Sequence, residues 1–294
     1  KWCSYNAPPD LPYDQREEDG GSLVLDGEVL EERLELLGAP VVELVFSANR
    51  PVAMVAARLS DVAPDGQATR VSYGLLNLTH RASSETPEPL TPGQKHFAQI
   101  QLNGIAHAFP PGHHLRLSLS TSYWPLAWPP PEPVSLEVHL SDCNLMLPIR
   151  PEYLPGRQEP KPFAEPEAPP MLHTTQTQPG EERWQVFRDM VTYRSELEVI
   201  KDLGTVHFED IDLDVSRRSE ERYSFVADDF SSPRGDVVWT ARFARGDWIV
   251  STVTRTVMTC DAENFYLHAQ LDAYEGEERR FSRNWKTSIP RDHV

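Results

Sequence analysis

The 294-residue sequence predicts an all-β chain built as a sandwich followed by a second antiparallel meander. Three observations carry this: hydrophobic residues recur at every second position, turn residues punctuate those runs at short intervals, and a proline-rich stretch parts the two halves.

In the first half, Leu115, Leu117 and Leu119 alternate with Arg116, Ser118 and Ser120. Val134, Leu136, Val138 and Leu140 alternate in the same way with Ser135, Glu137 and His139. Successive side chains of a strand point to opposite faces, so each run reads as a half-buried antiparallel strand. Val41–Phe46, Met54–Val62, Val71–Leu78 and Phe97–Leu102 are further strands, separated by turns at Pro64-Asp65-Gly66, Pro92-Gly93 and Pro111-Gly112. One short helix is expected over Val29–Leu37, rich in Glu and Leu and closed by Gly38 and Pro40.

Between residues 125 and 170 lie 13 of the 27 prolines. Proline lacks the donor that a strand needs, so residues 151–175 read as an extended linker. Alternation returns beyond it. Val206 and Phe208, then Ile211, Leu213 and Val215, then Val237, Trp239, Ala241 and Phe243 mark strands, with Trp248–Val257 and Phe265–Leu271 continuing the series. Arg245-Gly246-Asp247 and Glu275-Gly276-Glu277 are hairpin turns. The expected organisation is therefore a sandwich over 1–150, a linker over 151–175 and a β extension over 176–294.

Composition excludes several functions. The net charge of −17, shared almost equally by the halves, repels phosphate backbones and rules nucleic acid out as a partner. No run approaches the roughly 18 apolar residues of a transmembrane helix, so no membrane association is expected. Cys3, Cys143 and Cys260 are odd in number and far apart, without metal or redox spacing, and read as free thiols of a cytoplasmic protein. The start at Lys1, with neither methionine nor signal peptide, reads as an excision from a longer chain.

No catalytic residue is expected. A nucleophilic serine on an α/β-hydrolase scaffold needs a G-x-S-x-G elbow, and the sequence has none. His113 and His114 are neighbours that point to opposite faces of a strand and cannot share a metal. His107 and His113 flank the Pro-Pro-Gly turn and could approach one another, but each reads as a structural or surface residue. Neither a metal nor a cofactor is expected. The remaining candidates are Tyr123, Trp124 and Trp128, directly after the Leu115–Ser120 strand. They form either an aromatic wall facing a ligand or partner domain, or a loop folded over its own core.

Residues 58–66, Arg-Leu-Ser-Asp-Val-Ala-Pro-Asp-Gly, and Gly74-Leu-Leu-Asn-Leu-Thr-His-Arg81 resemble the carboxyl-terminal domain of X-Pro dipeptidyl-peptidases and CocE/NonD hydrolases. Pro92-Gly93, Phe109-Pro-Pro-Gly-His-His-Leu-Arg-Leu-Ser-Leu-Ser120 and Tyr123-Trp-Pro125 follow in the family's order. Asp14–Asp19 resembles the segment entering that domain, and the tail looks like an extension found in a bacterial subgroup. The resemblance implies a galactose-binding-like jelly-roll over residues 1–150. It also implies a Ser, Asp and His triad in a preceding α/β-hydrolase domain, onto none of whose positions a residue here maps. The expected function is that of an accessory domain packing on the catalytic domain and bordering its substrate entrance, inactive alone. The alternative is a stand-alone carbohydrate- or ligand-binding jelly-roll using Tyr123, Trp124 and Trp128. Homo-oligomerisation is left open.

Overall fold

The computed structural model describes residues 11, 12, 14–150 and 162–294. Cys3 and residues 151–161 of the proline-rich stretch lie outside them, while residues 162–173 are exposed chain without regular structure. Internal contacts divide the protein into two compact units, Lys1–Glu159 with His293–Val294, and Pro160–Asp292.

The first unit opens with a single helical turn, α1 (Arg16–Asp19), followed by ten strands. They are β1 (Leu23–Asp26), β2 (Leu34–Gly38), β3 (Val41–Ala48), β4 (Met54–Val62), β5 (Ala68–Asn77), β6 (His96–Gln101), β7 (Ile105–Phe109), β8 (His114–Ser120), β9 (Leu136–Val138) and β10 (Asn144–Met146). One sheet has the order β1-β8-β4-β5 and a second the order β10-β3-β6, with β9 also on β3 and a separate β2–β7 pair. All pairings are antiparallel. Both sheets feed one core, to which Leu44, Phe46, Leu59, Ile100 and Leu119 contribute. Each such side chain stabilises by about 1.5–3 kcal/mol when fully buried. The architecture is consistent with a jelly-roll.

Two glycines have specific work in this unit. A Cβ on Gly74 would lie 2.6 Å from the carbonyl oxygen of Gln101, so only glycine lets β5 approach β6 this closely. Gly66 sits at φ +84° in the turn joining β4 to β5, its N–H donating to Ala63 O at 2.8 Å, while Asp65 Oδ1 accepts the N–H of Gln67. Nothing lies within 4 Å of a Cβ placed there, so a side chain is opposed by the backbone alone. Gly66→Val is therefore expected to destabilise the unit by about 1 kcal/mol or more, read from the urea midpoint. An unchanged midpoint would contradict the turn's role.

The expected helix over Val29–Leu37 is a correction. Leu34–Gly38 is instead strand β2, in register with β7 through Leu34↔Phe109 and Leu36↔His107, and Leu36 is buried. Long-range pairing overrides the helix propensity of a segment too short to hold a helix alone. The strand expected over Val134–Leu140 is shorter too, since Leu140–Asp142 is a 3-10 turn.

The second unit is one eight-stranded antiparallel sheet. Its strands are β11 (Thr174–Gln178), β12 (Glu181–Asp189), β13 (Arg194–Phe208), β14 (Leu213–Val226), β15 (Asp229–Arg245), β16 (Trp248–Cys260), β17 (Asn264–Glu275) and β18 (Glu278–Pro290). They follow the order β11-β13-β14-β15-β16-β17-β18, with β12 beside β13. Gly246 and Gly276 take positive φ in the expected hairpin turns. Ile211, expected in a strand, ends a 3-10 turn that Asp212 closes in the left-handed conformation.

Registered neighbours share a face, and the two faces differ. One bears Val186, Leu197, Trp184, Val199, Val237, Trp239, Leu271 and Trp285. The other carries ion pairs such as Arg222–Glu198, Arg218–Asp202 and Arg255–Asp236. Among the described residues of this unit, the buried apolar side chains are Val199, Ile200, Ala244 and Cys260.

Candidate aromatic site and its buried polar base

The site begins with an arginine inside a wholly buried strand. All nine residues of β4 are buried, and Arg58 among them is 1% exposed. A charge so placed needs partners. Its Nη2 donates to Asp19 Oδ1 at 3.2 Å and to Ser22 Oγ at 2.8 Å, and Nη1 reaches Gln15 Oε1 at 3.5 Å. Asp19, at the end of α1, also accepts from Ser118 Oγ at 2.7 Å and from Arg116 Nη1 at 3.2 Å. Arg116 grips Asp26 with two further bonds, at 2.7 and 2.8 Å. The hydrogen bond from Arg116 holds the Asp26 carboxyl below its ordinary range, and Asp26 in turn raises the guanidinium's affinity for its proton.

The aromatic loop rests on this base. The guanidinium of Arg58 lies 5.7 Å from the ring centre of Tyr123. Arg70 donates to the Tyr123 hydroxyl and stacks over Tyr73 at 4.7 Å. Burial pushes the Tyr123 phenol up, against the pull of Arg70 and Arg58, which keeps it a neutral hydroxyl. Trp124 and Trp128 meet edge to face, with centroids 4.7 Å apart and planes at 88°. Tyr123, Trp124 and Trp128 are all half-buried. Each keeps part of its surface open, though none is fully exposed. The physical reason is that Tyr123 lies over two arginines and the indoles cover each other. None of the three belongs to the hydrophobic core cluster either.

A second polar cluster joins the two stretches that carry the family resemblance. Asp61 of β4 accepts from His107 Nε2 at 3.0 Å through one oxygen and from His113 Nδ1 at 2.8 Å through the other. Burial pushes the Asp61 carboxyl up, but the hydrogen bonds and charge of the two histidines outweigh it and hold the pKa below the ordinary value. His114 points elsewhere, with Nε2 3.7 Å from Asp26. Among the described residues no group of three or more His, Cys, Asp or Glu is placed to hold a metal.

Sequence reasoning singled out the aromatics and the neighbouring His107 and His113 but missed their partners Arg58 and Asp61, and Asp19, which holds Arg58. Two charged residues, Arg58 and Asp61, within the Met54–Val62 run expected as a strand were the available signal for both. A separate cleft of about 540 Å³, lined by Leu25, Leu30, Leu34, Leu117, Leu145 and Leu147, opens between the sheets. It offers no nucleophile paired with a base.

Residues 1–181 match the family described as the X-Pro dipeptidyl-peptidase C-terminal non-catalytic domain. The chain belongs to this family. It is also 28% identical over 116 residues to the cocaine esterase of Rhodococcus sp. (strain MB1 Bresler), a match covering 39% of this chain and 20% of the esterase. Among solved structures, an alpha-amino acid ester hydrolase aligns at a TM-score of 0.45 and 28% identity over 48% of this chain and 28% of that one. An aminopeptidase from a marine sediment Thaumarchaeota archaeon aligns at 0.45 and 24%, over 50% and 29% respectively. The chain thus spans less than a third of each of these proteins. No helix of the described residues is long and apolar enough to cross a membrane.

Proposed function

We propose that this non-catalytic domain packs on the α/β-hydrolase domain of a longer serine hydrolase through the loop Tyr123–Trp128, which borders the substrate entrance. The observation that carries the reading is the seating of Tyr123 between Arg58 and Arg70, because it fixes an aromatic surface before any partner arrives. Interfaces draw most of their affinity from a few such aromatics, and a surface already immobilised loses little entropy on binding. The same network ties Arg58 to Asp19 of α1, in the segment resembling the entry from the catalytic domain. The family named for X-Pro dipeptidyl-peptidases and the relative named cocaine esterase suggest a parent that cleaves esters or amides through an acyl-enzyme.

A sugar-binding role receives less support. Sugar rings stack on open aromatic faces, whereas Trp124 and Trp128 are half-buried and perpendicular.

The test is association with the α/β-hydrolase domain expressed as a separate chain. Binding is expected to blue-shift tryptophan emission, and Trp124→Ala is expected to weaken it by about 1 kcal/mol or more. Unchanged affinity of the variant would remove the loop from the interface.

A further inference from the structure

We infer that the apolar face of the second unit's sheet is a docking surface for a second copy of this chain, forming a two-fold sandwich in which the two sheets stack face to face. A sheet with one apolar face is stable only when that face is covered. Here Trp239 is 52% exposed, Phe281 48% and Trp285 39%, and cross-strand register puts all three on the same face as Trp184 and Leu271.

Area and charge select the occupant. Strands about 4.8 Å apart and 3.3 Å per residue give this face roughly 1,400 Å². A little over half of that equals the ~800 Å² per partner of a standard stable interface. A chain of net charge −17 repels its own copies over most of its surface. This face carries few charges and of both signs, among them the Lys201–Glu221 ion pair, Arg217 and Arg283, whereas the pairs Arg222–Glu198, Arg218–Asp202 and Arg255–Asp236 lie on the opposite face. Self-association is therefore least opposed here.

The strand edge argues for stacking rather than lateral addition. β18 is exposed along its whole length and bears Arg279, Arg280, Arg283 and Lys286. Two copies pairing along this edge would set these cations against each other, the device by which edge strands resist sheet extension. Face-to-face packing avoids that repulsion and buries the tryptophans of both copies.

The test is the mass of the full chain by analytical ultracentrifugation. At about 50 µM, above the micromolar dissociation constants at the weak end for interfaces of this size, twice 33.4 kDa is expected. Trp239→Glu is expected to raise the dimer dissociation constant at least about thirtyfold. Trp285→Glu, on the exposed last strand, provides a second variant. Arg255→Gln on the opposite face is expected to leave the mass unchanged. A single-chain mass for the native protein overturns the inference, as does an unchanged dimer in either glutamate variant with native circular dichroism. A single chain whose face is protected by the α/β-hydrolase domain overturns it as well. The inference uses no residue of the Tyr123–Trp128 loop, so failure of either proposal leaves the other standing.

Discussion

Arg58→Ala is expected to destabilise the first unit by about 3–5 kcal/mol, because it leaves the carboxylate of Asp19 buried without its innermost cation. Arg116 and Ser118 still contact Asp19, which places the expected loss at the lower end of that range. The substitution also removes the cation beneath Tyr123, so the aromatic loop loosens and its tryptophan emission changes with it. Urea denaturation measures the first effect and fluorescence the second. Replacing both charges, as Arg58→Met with Asp19→Leu, is expected to recover much of the stability, since an apolar pair carries no desolvation cost. A loss below about 1 kcal/mol in the single variant would mean that water reaches Asp19 and that the base of the aromatic loop is not closed.

What the sequence showed of this fold follows from what side-chain alternation records. Alternation reports which residues of one strand share a face, and it located β3, β4, β5, β6 and β8 within a few residues. It does not report what covers each face. Ser118 reads as a solvated residue between two leucines, yet it is fully buried because α1 closes over it. The Leu34–Gly38 segment misled for the same reason, since its strand identity comes from β7, about seventy residues away. The candidate site divides in the same way. Tyr123, Trp124 and Trp128 stand out by type and proximity. Their supports come from α1, β4 and β5, and only the folded chain brings Arg58, Arg70 and Asp19 together.

The family motifs gain a physical meaning from this convergence. Residues 58–66 supply Arg58 to one polar cluster, Asp61 to the other and Gly66 to the turn that follows them. Residues 109–120 supply His113 to the second cluster and Arg116 and Ser118 to the first. The two motifs run on adjacent strands, β4 beside β8, with Asp61 opposite Leu115. Asp61 of one motif thus meets His113 of the other, while Arg58, Arg116 and Ser118 converge on Asp19 of α1.

Asp61→Asn is the sharper test of the second cluster, because its effect depends on pH. The Asp61 carboxyl titrates below its ordinary value in the folded protein, so between the two values the unfolded chain binds more protons than the folded one. Stability from this group is therefore fully present above the ordinary aspartate value of about 3.9. It is lost as pH falls through the lower folded value. At neutral pH the variant exchanges two bonds to an ionised acceptor for weaker bonds to a neutral one, and is expected to lose about 1.5–3 kcal/mol. Below the folded value the native carboxyl is itself neutral and the difference shrinks. Urea midpoints of both proteins from about pH 7 to about pH 3 should converge toward acid, with the variant's acid limb the flatter. Parallel profiles over that range would show that the histidines do not hold the carboxylate ionised, and the bridge from β4 to His107 and His113 would then be no more than a contact between neutral groups.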